Sequence, residues 1–260
     1  MSHFRDSNTS TKSKFSLVGH RGANREAPEN SLSAFRKALE SPIFGIEFDV
    51  QLTKDEIPII YHDRTLKKIT GLRKRVGDYT YKELQGYDWG RYFSDQFRGE
   101  PCLSLETLLQ ELSGKTKLFL EIKSRKKDRK SGRSQLLVQR IFDQLDEQFS
   151  QPQLEELKIL SFDLELLRFA TGISVAPKYF WNIDLPENAL AQTKENLDFL
   201  SGFGAPIKTL SPELVEMAHA NKQEVLTYAC NLPYQAQRAI EFKADYFLTD
   251  KPAWLYRYLQ

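Results

Sequence analysis

The chain has 260 residues, of which 40% are hydrophobic and 28% charged, and its formal net charge is +2. This length suits one large α/β domain or two small ones, and the nearly balanced charge excludes the strongly basic character of a typical nucleic-acid binder. The two cysteines, Cys102 and Cys230, are too few and too isolated for a disulfide framework or a thiolate metal site, so we expect buried, reduced thiols.

The first 14 residues are polar and contain no apolar stretch like the core of a secretory signal. We therefore expect a disordered N-terminal tail over residues 1–14. No run approaches the roughly 18 to 20 apolar residues that are needed to span a bilayer. The sequence predicts a cytoplasmic protein with a single folded domain over residues 15–260.

From Phe15 onward, strand-like apolar runs alternate with amphipathic segments of helical period. Strands are predicted at residues 15–20, 45–52, 117–123, 157–162, 174–181, 197–203, 224–230 and 245–250. Helices are predicted at residues 31–40, 104–112, 134–149, 162–170, 186–194, 211–222, 233–242 and 252–259. Eight β-then-α units favour an α/β fold, the closed (β/α)₈ TIM barrel, over an open doubly wound sheet, which has no need of eight.

The rhythm is interrupted after Asp49, where the polar middle of VQLTKDEIPIIYHD is too short for a helical crossover. This segment predicts a hairpin arm with its turn near Asp55 and Glu56, which returns His62 roughly opposite Asp49. Residues 64–103 then form an irregular insertion after strand two, where barrel enzymes carry substrate-reading loops. Five aromatic residues of this insertion suit either a small core or an apolar funnel: Tyr87, Trp89, Tyr92, Phe93 and Phe97.

Ionisable residues are rare in the predicted strands, and seven exceptions lie within or at the end of strand-like runs. They are His20, Arg21, Glu47, Asp49, His62, Glu121 and Lys123. Residues i and i+2 of a strand share a face, so Glu47 and Asp49 point the same way, as do Glu121 and Lys123. If that face is the barrel interior, these charges meet at one mouth.

Three converging carboxylates repel one another unless a cation holds them together. Because all their donor atoms are oxygens, they favour a hard ion, Mg²⁺ or Ca²⁺, over zinc. The alternative is that the acids pair with Arg21 and Lys123 as ordinary salt bridges, although buried pairs of this kind are poor stabilisers.

The two histidines come from separate strands, and imidazole titrates near neutrality. One could take a proton from the attacking hydroxyl while the other gives a proton to the leaving oxygen. Arg21 and Lys123 supply fixed positive charge for the non-bridging oxygens of a phosphate. The combination predicts a site that cleaves a phosphodiester.

These residues occur in an ordered series of motifs that resembles the glycerophosphodiester phosphodiesterase family. The motifs are HRG (20–22), PEN (28–30), ExD (47–49), HD (62–63), ExK (121–123), SF (161–162) and ADYFLTDKP (244–252). The resemblance implies a (β/α)₈ barrel with an insertion after strand two. It also implies hydrolysis of glycerophosphodiesters to sn-glycerol 3-phosphate and an alcohol, in which the glycerol 2-hydroxyl attacks first and water opens the cyclic phosphate.

The same resemblance implies a role for each of the seven charged residues. It makes Glu47, Asp49 and Glu121 the ligands of one divalent metal ion, His20 and His62 the catalytic acid and base, and Arg21 and Lys123 the phosphate-binding cations. Residues 228–231 depart from the family, with Tyr-Ala-Cys-Asn where Trp-Thr-Val-Asn is common. We expect Tyr228 to contact the substrate and to alter the recognition of glycerol or of a larger headgroup.

Two alternative functions use the same sequence features. A lysophospholipase D would act at this site on a diester with a long acyl chain, and the aromatic residues of the insertion would then line an apolar funnel. A non-catalytic binding barrel would be expected to lack a metal ligand or a histidine, and none is missing.

The segment 124–133 carries six Lys or Arg residues and one Asp directly after Lys123. We expect it on the active-site face, beside the insertion cations Lys67, Lys68, Arg73, Lys74 and Arg75. Its charges could steer a small anionic phosphodiester to the mouth or make weak contact with membrane headgroups, the alternative being a solvated loop. Apart from this contact we expect a small-molecule substrate and no nucleic acid, and the sequence carries no signal for the oligomeric state.

Overall fold

The computed structural model describes residues 15–184 and 197–260. Eight parallel strands lie in it: β1 (Leu17–His20), β2 (Gly45–Leu52), β4 (Lys117–Ile122), β5 (Lys158–Ser161), β6 (Lys178–Asn182), β7 (Gly202–Pro206), β8 (Glu224–Tyr228) and β9 (Tyr246–Thr249). Because β1 pairs with both β9 and β2, the sheet closes on itself. The predicted (β/α)₈ barrel is confirmed, and the open-sheet alternative is wrong.

Helices pack around this barrel, and several begin at a side chain that caps them. Their bounds are Leu32–Leu39, Lys67–Thr70, Tyr81–Gln85, Leu105–Leu112, Lys126–Lys130, Arg133–Gln148, Gln151–Glu156, Leu164–Thr171, Pro212–Ala220, Pro233–Glu241 and Pro252–Leu259. The Ser211 hydroxyl accepts a hydrogen bond from the Leu214 amide, and Pro212 follows at a position that needs no amide hydrogen. The tail at residues 1–14 and the helix predicted at 186–194 lie outside the described residues. Within residues 15–184 and 197–260, no helix combines the length and the apolar character needed to cross a bilayer.

Strand β7 is where the prediction was wrong, because residues 197–203 were expected and Gly202–Pro206 was found. In the sequence GFGAP only Phe203 is a large apolar residue, and it is flanked by Gly202 and Gly204, where the neighbouring strands leave no room for a side chain. A Cβ atom at Gly202 would lie 2.2 Å from the backbone oxygen of Glu224, and one at Gly204 would lie 2.0 Å from Oδ1 of Asn182. The apolar residues that suggested an earlier start, including Leu197 and Leu200, are buried outside the sheet.

The predicted hairpin arm is present as β3 (Pro58–Ile60), which pairs antiparallel with the end of β2. The turn contains Glu56 in the left-handed region, at φ 64°. The Tyr61 amide donates a 2.9 Å hydrogen bond to the Asp49 carbonyl, so His62 lies one residue beyond the position opposite Asp49.

The insertion shares a small apolar core with the hairpin arm, consisting of Ile59, Tyr61, Leu66, Val76, Tyr79, Leu84, Trp89 and Cys102. Trp89 belongs to this core and Tyr87 packs against it, as the small-core alternative predicted. Tyr92 and Phe93 remain 37% and 36% exposed, and Phe97 packs on Phe93 with ring centroids 5.6 Å apart. Both cysteines are free and buried, as expected.

Lys158 closes the end of the barrel interior that is remote from the carboxyl ends of the strands. It is 4% exposed, and its Nζ lies 5.3 to 5.4 Å from the centroids of the Phe44, Phe119 and Tyr246 rings. Burial lowers the pKa of Lys158 to about 8. The charge of Glu224 opposes this shift, whereas the neighbouring lysines add to it.

The pH dependence of stability tests this description of Lys158. Between about pH 8 and pH 10 the unfolded chain holds a lysine proton that the folded chain has released, so stability rises with pH. The aromatic rings favour the charged form and reduce this effect, so we expect a rise of about 1 kcal/mol over that range relative to Lys158→Met. Urea unfolding of both proteins across the range measures it, and parallel curves would contradict the assignment.

Candidate active site

The barrel interior changes from apolar to polar along its strands. At mid-height it contains Val18, Phe119, Leu160, Phe180, Leu226 and Leu248. Two positions further along the same strands are His20, Glu121, Phe162, Asn182, Tyr228 and Asp250, of which only Phe162 is apolar. The polar layer therefore lies at the carboxyl ends of the parallel strands, where barrel enzymes place their active sites.

Strand register brings three carboxylates into this layer. His20 in β1 is the partner of Glu47 in β2, and Asp49 in β2 is the partner of Glu121 in β4. Carboxylate oxygens of Glu47, Asp49 and Glu121 all lie within 4.8 Å of one another. Glu47 and Asp49 are each 1% exposed, so water screens their repulsion poorly.

Asp49 has the most cationic partners of the three. Its Oδ1 lies 2.9 Å from Lys123 Nζ and its Oδ2 lies 3.2 Å from Arg21 Nε. Oδ2 also accepts a 2.8 Å hydrogen bond from Asn30. Burial by itself would raise the pKa of Asp49, but Lys123 and Arg21 hold it well below its ordinary value. Asp49 is therefore ionised at neutral pH.

Glu47 lacks a comparable side-chain partner in the described part of the chain. Its Oε2 accepts a 3.0 Å hydrogen bond from the backbone nitrogen of Arg21. Burial, together with the charges of Asp49 and Glu121, raises the pKa of Glu47 well above its ordinary value. Burial also raises the pKa of Glu121, even though Lys123 donates a 2.6 Å hydrogen bond to it. The least compensated negative charge of the cluster thus falls on Glu47.

The salt-bridge alternative accounts for only part of this arrangement. Three carboxylates share two cations, and Arg21 also donates a 2.9 Å hydrogen bond to Glu29. Although Lys123 lies close by, the buried Oδ1 of Asp49 accepts no hydrogen bond of favourable geometry from the described residues. A cluster of oxygen donors with surplus negative charge fits a hard divalent cation, so the residues present suit the metal that the sequence predicted.

His20 is held by the strand next to its own. Its Nδ1 lies 2.6 Å from Oδ1 of Asp250, which also accepts hydrogen bonds from Asn24 and, through Oδ2, from Asn231. Burial alone would raise the pKa of Asp250, but the hydrogen bond and charge of His20 lower it to about 2. Because the carboxylate only accepts, Nδ1 carries a proton and Nε2 is the nitrogen left for proton transfer.

His62 is oriented by the next residue in the sequence. Its Nδ1 lies 2.9 Å from Oδ1 of Asp63, while Lys68 lies 3.0 Å from Oδ2 of Asp63 and also contacts Glu29. Glu29, His62 and Asp63 form a second group of potential metal donors within 4.8 Å. Since Lys68 and Arg21 already compensate these carboxylates, the second group needs a metal ion less than the first.

Two aromatic side chains complete the polar layer. The rings of Phe162 and Tyr228 meet edge to face with centroids 6.4 Å apart. The Tyr228 hydroxyl is buried and has no hydrogen-bond partner among the described residues. Burial and the nearby charge of Glu121 raise the pKa of Tyr228 far above its ordinary value. A neutral phenol therefore lies near the carboxylates without a partner of its own.

The space beside these groups is a cavity of about 250 Å³, which we call the mouth cavity. Its lining is His62, Arg64, Glu121, Ile122, Lys123, Ser124, Arg125 and Phe162. A cavity of about 290 Å³ at the other end of the barrel is lined by residues such as Phe44 and Lys117, and its lining contains no histidine. The mouth cavity alone of these two combines imidazole, carboxylate and ammonium groups.

Sequence reasoning gave no role to several residues that support the site. Asp250 directly follows β9 and His20 is the last residue of β1, and a closed barrel makes these strands neighbours, so their contact follows from the predicted fold. Asn30 and Glu29 lie in the PEN motif, where Asn30 adopts φ 58° and its Oδ1 accepts a 3.3 Å hydrogen bond from the Asp49 amide. Lys68 was expected only as one of the insertion cations that steer anions, and its pairing with Glu29 and Asp63 was not predicted.

The chain resembles known proteins over most of its length. A glycerophosphodiester phosphodiesterase of Bacillus altitudinis is 27% identical over 244 residues, which are 91% of this chain and 94% of that protein. One from Caldanaerobacter subterraneus is 38% identical over 109 residues, which are 42% of this chain and 45% of that protein. The match therefore spans less than half the length of this second relative.

A solved structure has the same fold. It is a phosphodiesterase of Oleispira antarctica in complex with the product sn-glycerol-3-phosphate, with a TM-score of 0.83, 23% identity and coverage of 92% of this chain and 94% of that one. Residues 20–254 match the sequence model of the glycerophosphoryl diester phosphodiesterase family, and this span includes every site residue predicted above. The chain belongs to the glycerophosphoryl diester phosphodiesterase family.

Proposed function

We propose that the protein hydrolyses glycerophosphodiesters to sn-glycerol 3-phosphate and an alcohol, using one divalent cation, Mg²⁺ or Ca²⁺, bound by Glu47, Asp49 and Glu121. The observation that carries this proposal is the position of Glu47, a buried carboxylate that adjoins two others and has no salt bridge to a cation among residues 15–184 and 197–260. When bound, the cation supplies positive charge to the phosphate oxygens. Family membership gives the reaction class, and the oxygen donors give the class of ion.

The histidines move the protons. Each presents Nε2 for transfer because its Nδ1 hydrogen bonds to a carboxylate, Asp250 for His20 and Asp63 for His62. One imidazole takes the proton of the glycerol 2-hydroxyl as that oxygen attacks phosphorus, and the other protonates the oxygen of the departing alcohol. Water then opens the cyclic phosphate with the proton transfers reversed. Arg21 and Lys123, held among the carboxylates, bind the non-bridging oxygens.

The mouth cavity favours a small polar substrate over a lysophospholipid. Most of its lining is charged or polar, and Phe162, which is 44% exposed, is its one aromatic residue. The aromatic residues of the insertion that might have formed a funnel are partly used in the small core. We therefore propose lysophospholipase D activity only as the second candidate, to be separated from the first by measurement.

A substrate panel tests the proposal. Glycerophosphocholine, glycerophosphoethanolamine and glycerophosphoglycerol are compared with lysophosphatidylcholine, and release of sn-glycerol 3-phosphate or of the free headgroup is followed. We expect turnover of at least one glycerophosphodiester and weaker turnover of the lysophospholipid. Preference for lysophosphatidylcholine would favour the second candidate, and no turnover of any diester would contradict both.

Tyr228→Phe tests the role of the unpartnered phenol. We propose that the hydroxyl hydrogen bonds to the substrate, so its removal should raise KM for glycerophosphocholine by about 5- to 10-fold with a smaller effect on kcat. The ring remains to pack against Phe162, so the fold should be kept. Steady-state kinetics measure the split, and an unchanged KM with unchanged kcat would remove Tyr228 from substrate binding.

The basic segment 124–133 lies near some, but not all, of the insertion cations that were expected beside it. Lys126, Lys127 and Lys130 are exposed on the short helix Lys126–Lys130. Of the insertion cations, Arg75 shares a cavity with this segment, whereas Lys68 pairs with Glu29 and Asp63. Steering of anionic substrates, weak contact with membrane headgroups, a cytoplasmic location and a single domain over residues 15–260 remain predictions.

Neutralising the three exposed lysines tests steering. Glutamine at positions 126, 127 and 130 should lower kcat/KM about 2- to 5-fold at low ionic strength, with a flatter dependence on salt, because the lost attraction is long-range. The two proteins should converge at high salt. Equal values of kcat/KM with equal salt dependence would show that the segment is merely solvated.

A further inference from the structure

We propose that a basic cavity beside the active site binds a second phosphate, a phosphomonoester carried by the leaving alcohol of the substrate. This basic cavity has a volume of about 180 Å³ and is lined by five cationic side chains. One of them, Lys123, pairs with Asp49 and Glu121. The other four are Arg75, Arg125, Lys127 and Arg133. One water molecule takes about 30 Å³ in the liquid, so the space is several waters large. The inference rests on the proposed function, because it names the substrate class that the same site would take.

The basic cavity carries a surplus of positive charge. Apart from Lys123, which pairs with Asp49 and Glu121, four cations stand against two carboxylates in the lining, Asp78 and Asp128. Asp78 accepts a 2.7 Å hydrogen bond from the backbone nitrogen of Arg75. In residues 15–184 and 197–260, no carboxylate forms a salt bridge with any of the four cations. The surplus is therefore available to an anion from outside the chain.

Arg125 is the most constrained of these cations. Its guanidinium donates hydrogen bonds of 3.1 to 3.2 Å to the carbonyl oxygens of Arg64 and Asp63 and to the side-chain oxygen of Gln51. These neutral acceptors fix the group in place, and no carboxylate of the described residues forms a salt bridge with it. Burial lowers the pKa of Arg125, and the positive charges of Arg75 and Arg64 lower it further. The charge of Asp128 opposes these effects. A bound anion would relieve this repulsion.

Arg133 is fixed in a similar way from the other side. It donates hydrogen bonds to the carbonyl oxygens of Leu52 and Thr53, at the end of β2. The planar guanidinium groups match the geometry of phosphate oxygens, and their positions are set before any ligand arrives. A phosphate dianion suits this cluster better than a carboxylate, since it brings more charge and more acceptor oxygens.

The basic cavity adjoins the place where the substrate reacts. Lys123 and Arg125 line both the basic cavity and the mouth cavity. Lys123 also contacts Asp49 and Glu121, the proposed metal ligands. A diester whose phosphorus lies at these groups can extend its leaving alcohol past Arg125 into the basic cavity, so a terminal phosphate on that alcohol would reach the four cations.

A matched pair of substrates tests the inference. One is glycerophosphoglycerol and the other is the same diester with a phosphomonoester on its outer glycerol. In the wild-type protein we expect kcat/KM for the phosphorylated diester to be about tenfold higher, the effect of one charge-assisted contact. Arg75→Gln should remove most of this preference, because it takes one cation from the lining. The fold should be kept, since the Arg75 side chain makes no salt bridge with the described residues.

Lys126→Gln is the matched control. It removes the same charge from the same face, but Lys126 is exposed and does not line the basic cavity. We expect it to change the ratio of the two kcat/KM values less than about twofold. If Arg75→Gln and Lys126→Gln reduced the preference for the phosphorylated diester equally, long-range attraction alone would explain that preference. This result would overturn the inference.

Binding to an inactive protein separates this inference from the proposed function. In Glu47→Gln, calorimetry should give a dissociation constant for the phosphorylated diester that rises about tenfold when Arg75→Gln is added. If the wild type hydrolyses both diesters equally and Arg75→Gln changes neither rate nor binding, the second phosphate site is wrong and the proposed function stands. If the wild type hydrolyses neither diester, the proposed function fails, and the calorimetry still decides whether the cavity binds phosphate.

Discussion

Glu47→Gln is expected to lower kcat for a glycerophosphodiester by at least about 10²-fold while keeping the barrel folded. The substitution keeps the shape of the side chain and removes one of the three charges that would hold the cation. It also removes the repulsion that raises the pKa of Glu47. An acid whose folded-state pKa is raised destabilises the protein above its ordinary pKa, so in chelator at neutral pH the variant should melt at or above the wild-type temperature.

The control for this experiment is Glu224→Gln, the same substitution at the other end of the barrel interior. Glu224 contacts Lys178 and Tyr246, and it lies far from the carboxylate cluster along its strand. The activity of the folded Glu224→Gln variant should stay within about twofold of that of the wild type. Addition of Mg²⁺ or Ca²⁺ should raise the melting temperature of wild type and of Glu224→Gln but not that of Glu47→Gln. Undiminished turnover in Glu47→Gln would remove Glu47 from the mechanism.

His20→Gln is expected to lower kcat by about 10²- to 10⁴-fold, the range typical of a lost general acid or base. Glutamine can still hydrogen bond to Asp250 but cannot exchange a proton at the reacting atoms. The pH profile of kcat/KM should be bell-shaped in the wild type and should lose one limb in the variant, because only one imidazole remains. The limb that disappears identifies His20 as the acid or the base of the first step.

The chain contains a matched control for this histidine. His219 lies on the outside of the barrel, with its Nε2 2.9 Å from Asp245 in a pair resembling that of His20 and Asp250. His219→Gln should leave both the rate and the shape of the pH profile unchanged. If His20→Gln reduced kcat no more than His219→Gln does, the proposed acid–base pair would be wrong.

Much of the architecture could be predicted because strand alternation and strand order are local and repetitive. Glu47 and Asp49 were placed on one face by their spacing alone, and parallel β–α units placed them at the carboxyl ends of strands. Strand β7 could not be found in the same way. Its glycines are dictated by Phe180 and Asn182 on the neighbouring strand, and a single-sequence pattern does not contain those distances.

The supporting contacts of the site were harder to predict than the proximity of its charged residues. His20 and Asp250 are 230 positions apart, and only closure of the barrel makes them neighbours. The sequence could show that Arg125 was one of six cations in a segment, but not that neutral oxygens fix it in a cavity that Arg75 also lines. Such contacts depend on loop conformations, which follow from packing against several elements at once.

We infer that the carboxylate cluster makes hydrolysis depend on a divalent cation. The most direct measurement is the release of sn-glycerol 3-phosphate from glycerophosphocholine by chelator-treated protein, before and after addition of Mg²⁺ or Ca²⁺. We predict negligible release before addition, restored release with at least one of the two ions, and no restoration in Glu47→Gln. Release at the same rate in chelator, or equal restoration in Glu47→Gln, would contradict the claim.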